Sequence, residues 1–168
     1  MSKASDQYEE FIAGLIKNIS ETHRKINFLC PHAPCRLTGV FGQKHQIDVA
    51  FIDETFDPLK LVLIECKLRN PKYHIGPEVV KILVFNGADL TRNPDYPDEC
   101  LLVICSTSDF SSGAKTLGNA LDIKLERVDR WPDYTFRYEK ILQAGVSSGL
   151  HMGDDVSNTV RHPNGTED

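Results

Sequence analysis

The chain has 168 residues, 40% hydrophobic and 26% charged, with a net charge of −5. This is enough to bury one sizeable core, and the composition excludes a disordered or fibrous protein. No apolar run approaches the roughly 20 residues of a membrane span, and the polar N-terminal stretch lacks a signal-peptide core, so a cytoplasmic protein with no membrane partner is expected.

Residues 5–20 predict an amphipathic helix, with Ser5 as N-cap and an apolar stripe of Phe11, Ile12, Leu15, Ile16 and Ile19. At about 100° per residue, Glu10 lies opposite that stripe, whereas Glu9 falls about 20° from Ile16, at the edge of the buried face. A carboxylate held there either reaches water along the helix edge or serves a purpose inside. Next comes CPHAPC, where Cys30, His32 and Cys35 could ligate zinc. No second Cys/His pair at suitable spacing follows, so a Pro-kinked loop is the plainer reading. All five cysteines are expected to be reduced thiols in a cytosolic setting.

Arg36–Val40 predicts a short strand that turns at Gly42. HQIDVAFI, residues 45–52, predicts a clearer one, with Gln46, Asp48 and Ala50 on one face and Ile47, Val49 and Phe51 on the other. A turn-rich connection through Pro58 leads to LVLIECK, Leu61–Lys67, whose almost unbroken apolar run suits a sheet centre. Leu61, Leu63, Glu65 and Lys67 share one of its faces.

Gly76–Pro77 opens a second helix, proline fitting its first turn. Glu78 suits the positive end of the helix dipole, Val79, Val80, Leu83 and Val84 make the buried stripe, and Gly87 is placed to stop it. Leu101–Cys105 is a buried strand. Cys100 and Cys105, an odd number of positions apart, point to opposite faces and read as core residues rather than ligands. Ser111 or Ser112 caps a helix running to Leu121, and Ile123–Val128 is a further strand. Arg137–Gln143 reads as a last helix or strand, and a Gly/Ser/Asp/Asn-rich tail, disordered in expectation, follows from Ala144. The expected architecture is one domain over residues 5–143: an α/β/α sandwich around a mixed sheet, antiparallel strands first and parallel crossovers after.

Two apolar strands thus each carry an acid where acids are costly. Asp48 and Glu65 converge across a hairpin and Lys67 shares the face of Glu65, an arrangement suited to a hard divalent ion, Mg²⁺ or Mn²⁺. Such an ion would bind a phosphate oxygen and acidify its own water. Lys67 would orient that water or stabilise charge on the phosphorus centre. The alternative for Glu65 and Lys67 is a simple ion pair.

Asp48, sixteen residues and then Glu65-x-Lys67 resembles the D-x(n)-(D/E)-x-K signature of the PD-(D/E)xK, restriction-endonuclease-like superfamily. YEEFIAGLI is similar to the opening helix of Mrr-type endonuclease domains, with an aromatic, a glutamate and an aliphatic run. ILVFNGADL and CLLVICSTSDFSSGAKTLGNALDIKL are similar to the later helix, strand and Ser/Ala-containing helix, so the resemblance spans roughly residues 8–128. Ile47 stands where the nominal motif has proline.

The resemblance implies a restriction-endonuclease-like fold and a metal-dependent DNA endonuclease, acting in restriction, repair or junction resolution. It implies a metal at Asp48, Glu65 and the backbone carbonyl of Cys66, with Glu9 in support and Lys67 catalytic. Gln46, His45, Arg69 and Lys72 are candidate supporting or phosphate-contacting residues, and His74 is a possible phosphate contact as well. DNA, a homodimeric partner and a separate targeting protein are the expected partners. The net charge of −5 is mildly unfavourable to DNA, although Asp154, Asp155, Glu167 and Asp168 against Arg161 confine −3 of it to the tail. A catalytically inactive protein keeping the nuclease fold as a DNA- or protein-binding scaffold is therefore the alternative.

Overall fold

The computed structural model describes residues 3–22, 25–30 and 35–128, with the side chains of residues 18–22 left out. The elements run α1 (Lys3–Thr22), β1 (Ile26–Phe28), β2 (Cys35–Thr38), β3 (Lys44–Ile47), β4 (Val49–Asp53), β5 (Lys60–Lys67), α2 (Pro77–Leu90), β6 (Glu99–Ser106), α3 (Ser112–Ala120) and β7 (Lys124–Arg127). Arg137–Gln143 and the region from Ala144 lie outside the described residues.

A five-stranded sheet has the order β1-β4-β5-β6-β7. β1 and β5 are each antiparallel to β4, whereas β6 is parallel to β5, and β7 to β6. The apolar run of β5 occupies the middle, where Leu61, Val62, Leu63 and Ile64 are all fully buried. Alternation sends Leu61 and Leu63, with Leu102 and Ile104 of β6, into a core shared with Val80, Leu83 and Leu90 of α2 and Ala114 of α3. Phe51, Val62, Ile64, Val103 and Cys105 are buried as well, and α1 runs against β4 and β5 with Tyr8, Ile12 and Ile16 fully buried. The expected α/β sandwich around a central mixed sheet is the observed fold.

Several boundaries differ from expectation, each for a local reason. The first helix begins at Lys3, so Ser5 lies within it, its Oγ donating to Glu9 Oε1 at 3.4 Å instead of capping. β1 is a strand that the sequence reading lacked; three residues with a half-buried, exposed, half-buried pattern leave little periodic signal. Gly87 does not stop α2, which continues to Leu90. It is buried inside the helix because a Cβ there would come within 3.0 Å of Leu102 and 3.2 Å of the Cys100 sulfur. Ser111 does cap α3, accepting from the Ala114 amide at 3.2 Å, and Pro77 takes the first turn of α2 after Gly76.

The largest correction concerns residues 45–52. A bend at Asp48 divides this stretch. β3 before it pairs with β2 in a separate two-stranded sheet, and β4 after it belongs to the main sheet. Gln46 and Asp48 therefore do not share a strand face. The β2–β3 hairpin turns through Gly42 at φ +79° and is pinned to the end of α2. His45 Nε2 meets Asp89 Oδ2 at 2.5 Å, the Val40 amide donates to the Asp89 carbonyl at 3.2 Å, and Asn93 Nδ2 donates to the Thr38 carbonyl at 2.8 Å. Gly39 permits that approach, since a Cβ there would lie 1.8 Å from Asp89 Oδ2.

Cys30 and Cys35 are joined as a disulfide with Cα atoms 5.4 Å apart, within the ordinary span. The expectation that every cysteine is a thiol is corrected accordingly, and the zinc alternative loses both sulfurs, while His32 lies outside the described residues. Cys66, Cys100 and Cys105 are free.

Candidate active site

The pairing of β4 with β5 sets the site. Val49 faces Ile64 and Ala50 faces Leu63; the pairing ends there, and Asp48, just before Val49, comes beside the Glu65–Cys66 end of β5. The bend at Asp48 frees its side chain to turn back across the pair. Its Oδ2 accepts the Cys66 backbone N–H at 2.6 Å. Lys67 Nζ donates to Glu65 Oε1. Asp48 is 7% exposed and Glu9, on α1, only 2%, so helix geometry singles out the same acid that the structure buries.

The electrostatics follow from this crowding. Burial, followed by the charge of Glu65, raises the Asp48 carboxyl from 3.8 to about 7; the Cys66 amide opposes the rise and Glu9 adds to it. Glu9 is raised chiefly by burial and then by Asp6, with Ser5 lowering it and Glu65 raising it further. For Lys67, burial pulls the ammonium down, but the hydrogen bond and charge of Glu65, with Asp48 behind them, outweigh it and leave the pKa above the usual lysine value. Lys67 is therefore a charged donor. Burial also pushes the Cys66 thiol well up, so the sulfur is neutral and unreactive.

Three carboxylates thus surround one ammonium, and hard oxygens dominate the donor set. Such a set fits Mg²⁺ or Mn²⁺, and a divalent cation would reverse the burial penalty on Asp48 and Glu9. Among the described residues no three His, Cys, Asp or Glu side chains form a ready-made metal cage. A backbone oxygen, water or substrate oxygen would have to complete the coordination of an ion held by Asp48 and Glu65.

The remaining candidates are dispersed. Arg69 and Lys72 are exposed in the loop after β5. The Arg69 amide donates to Thr107 Oγ1 and its carbonyl accepts from the same hydroxyl, while the Lys72 amide is held by Asn70. Gln46 is exposed on the hairpin, opposite Arg36. His74 is exposed. His45 is buried, with its Nε2 on Asp89, and in that place it presents no face to a phosphate. Sequence reasoning missed Asp89, 44 residues away from His45 in the chain. It also missed a cavity of about 510 Å³ that opens beside Asp48 between α1 and β1. No sequence pattern signals either of them.

No protein-family model and no curated protein sequence matches the chain. Solved structures are similar to it in fold. AF1548, described as a protein of unknown function, has a TM-score of 0.55 and 18% identity over 83% of this chain. MspJI restriction endonuclease, in complex with a 27-mer oligonucleotide, has a TM-score of 0.47 and 13% identity over 86% of the chain. AspBHI, a DNA modification-dependent restriction endonuclease, has 0.36 and 13% over 89%. The chain spans 66% of AF1548, and 31% and 37% of the two endonucleases. The likeness to AF1548 is one of fold.

Proposed function

We propose that this chain is a metal-dependent DNA endonuclease of the PD-(D/E)xK superfamily, with an Mrr-type domain. The single observation that carries the reading is the buried Asp48 carboxylate held on the Cys66 amide at 2.6 Å, beside Glu65 at the end of the central strand. Burial and the Glu65 charge hold Asp48 near neutrality, with Lys67 on the same strand face as Glu65.

Asp48, Glu65 and the carbonyl of Cys66 would hold Mg²⁺ or Mn²⁺, with Glu9 in support. When bound, the ion supplies charge for a phosphate oxygen and acidity for water. Lys67, kept positive by Glu65, orients the attacking water or stabilises the charge that builds on the phosphorus centre. The Cys66 amide fixes one Asp48 oxygen and so orients the other. Water oxygen bonds to phosphorus as the bond to the leaving sugar oxygen breaks, and the proton of the water ends on that leaving group or in solvent. Arg69 and Lys72, exposed in the following loop, would meet flanking phosphates.

A homodimer would present two sites to the two strands of a duplex, and a separate protein would supply targeting. No described helix is long and apolar enough to cross a membrane, and the cytoplasm is the proposed compartment. The second reading, a catalytically inactive binding scaffold, draws on the net charge of −5.

Incubation with linear, branched and methylated DNA in Mg²⁺ or Mn²⁺ tests the proposal. Wild-type protein should cleave at least one substrate, and Asp48→Ala and Lys67→Ala should each lose about 10²–10³-fold, as removal of electrostatic stabilisers does elsewhere. Cleavage that survives both substitutions would sink the site assignment. DNA binding without cleavage by the wild type would favour the scaffold.

A further inference from the structure

The cavity beside Asp48 has about 510 Å³ of room, lined by Glu10, Gly14 and Lys17 of α1, Phe28 of β1, the Cys30–Cys35 bridge and Asp48 itself. That is the size of a small-molecule site. The Phe28 ring is braced by Phe51, their centroids 5.6 Å apart, which gives the cavity an aromatic surface in a fixed place. Gly14 sits in the middle of α1, where glycine is a poor helix former. A Cβ there would meet nothing within 4 Å, so close packing does not require the glycine, and its absent side chain leaves room. Glu10 offers acceptors and Lys17 donors at the lining, while the walls are otherwise small and apolar.

We propose that this cavity receives an unpaired nucleobase from the nucleotide next to the scissile phosphate. The inference rests on the nuclease reading, because Asp48 belongs both to the cavity and to the acid cluster. A base joined to a phosphate at that cluster lies within one nucleotide of the opening. The Phe28 face suits stacking, which accepts any base, and Glu10 and Lys17 suit exocyclic amino and carbonyl groups. Occupancy requires the base to leave its stack, which is easiest for a frayed, mismatched or single-stranded nucleotide. The substrate class that follows is DNA with an unpaired nucleotide at the cut.

Oligonucleotides carrying 2-aminopurine at successive positions, bound in Ca²⁺, test this, with cleavage in Mg²⁺ measured in parallel. One position should brighten about threefold or more, and a duplex with one unpaired nucleotide should be cut about tenfold faster than a fully paired one. Gly14→Leu and Ala13→Leu, the latter at a neighbouring α1 residue that also lines the cavity, fill it and should each remove the brightening while keeping a wild-type circular dichroism spectrum. Lys67→Ala should lose cleavage and keep the brightening. Equal fluorescence at every position, a signal that survives both filling variants, or no DNA binding at all would overturn the cavity assignment. Brightening that both filling variants abolish, in a wild type that cuts no DNA, would leave the base site standing and remove the nuclease reading.

Discussion

Two places among the described residues bury titratable side chains in opposite ways. At the end of α2, His45 and Asp89 form a buried pair, each about 5% exposed, in contact at 2.5 Å. At the strand ends, Asp48, Glu65 and Glu9 gather around Lys67 alone. In the first place one ring nitrogen meets one carboxylate oxygen, and the pair ties the β2–β3 hairpin to the helix that follows. In the second, carboxylates outnumber the cation, and burial with mutual repulsion keeps Asp48 partly protonated near pH 7. A pair that ties one element to another is structural, whereas a cluster in which acids outnumber the cation leaves a place for another cation.

Substitutions should separate the two. The largest effect is expected at the acid cluster and on activity: Lys67→Ala should lower DNA cleavage about 10²–10³-fold, with the thermal midpoint moved by only a few degrees. Asp89→Ala should do the reverse. Removing one partner of a buried hydrogen bond destabilises by about 1–3 kcal/mol, visible in urea unfolding, because His45 and the hairpin lose an anchor. If Asp89→Ala is silent in unfolding, the contrast between the two places fails.

A third effect has a sign fixed by pH. The folded-state pKa of Asp48 lies above its ordinary value, so the folded protein holds a proton that the unfolded chain releases. Stability without metal should therefore fall as pH rises from about 4 through 7. Asp48→Asn keeps an oxygen for the Cys66 amide, and should flatten this slope and gain about 1–3 kcal/mol at pH 8. Urea unfolding at pH 5 and pH 8 checks it. The smallest effect calibrates both places: Lys115 and Asp109 pair at 3.1 Å on the surface, and Lys115→Ala should leave the urea midpoint unchanged.

The difference between the two places is also a difference in what a sequence discloses. Asp48 and Glu65 were legible because two consecutive apolar strands joined by a short connection pair in antiparallel register. An acid in each run then stands out against its neighbours. Glu9 was legible from helix periodicity, seven residues before Ile16 and on nearly the same face. The His45–Asp89 pair was not, since it joins a strand to a helix end 44 residues away and neither residue breaks a pattern. The bend at Asp48 was equally hidden. HQIDVAFI alternates well enough to read as one strand, and only the docking of its first half on α2 assigns that half to a second sheet. The Cys30–Cys35 bridge depends on a loop bringing two Cα atoms to 5.4 Å, and the cavity depends on how α1 sits beside β1. Neither leaves a mark on local composition.

Calorimetric titration of the wild-type protein with Mn²⁺ at pH 8 addresses the central claim most directly, with Asp48→Asn and Glu65→Gln measured alongside. One ion should bind per chain, with heat abolished or affinity reduced at least tenfold in each variant and little binding at pH 5, where Asp48 holds its proton. Full binding by both variants, or no binding by a folded wild type, would contradict the assignment of these acids to a metal site.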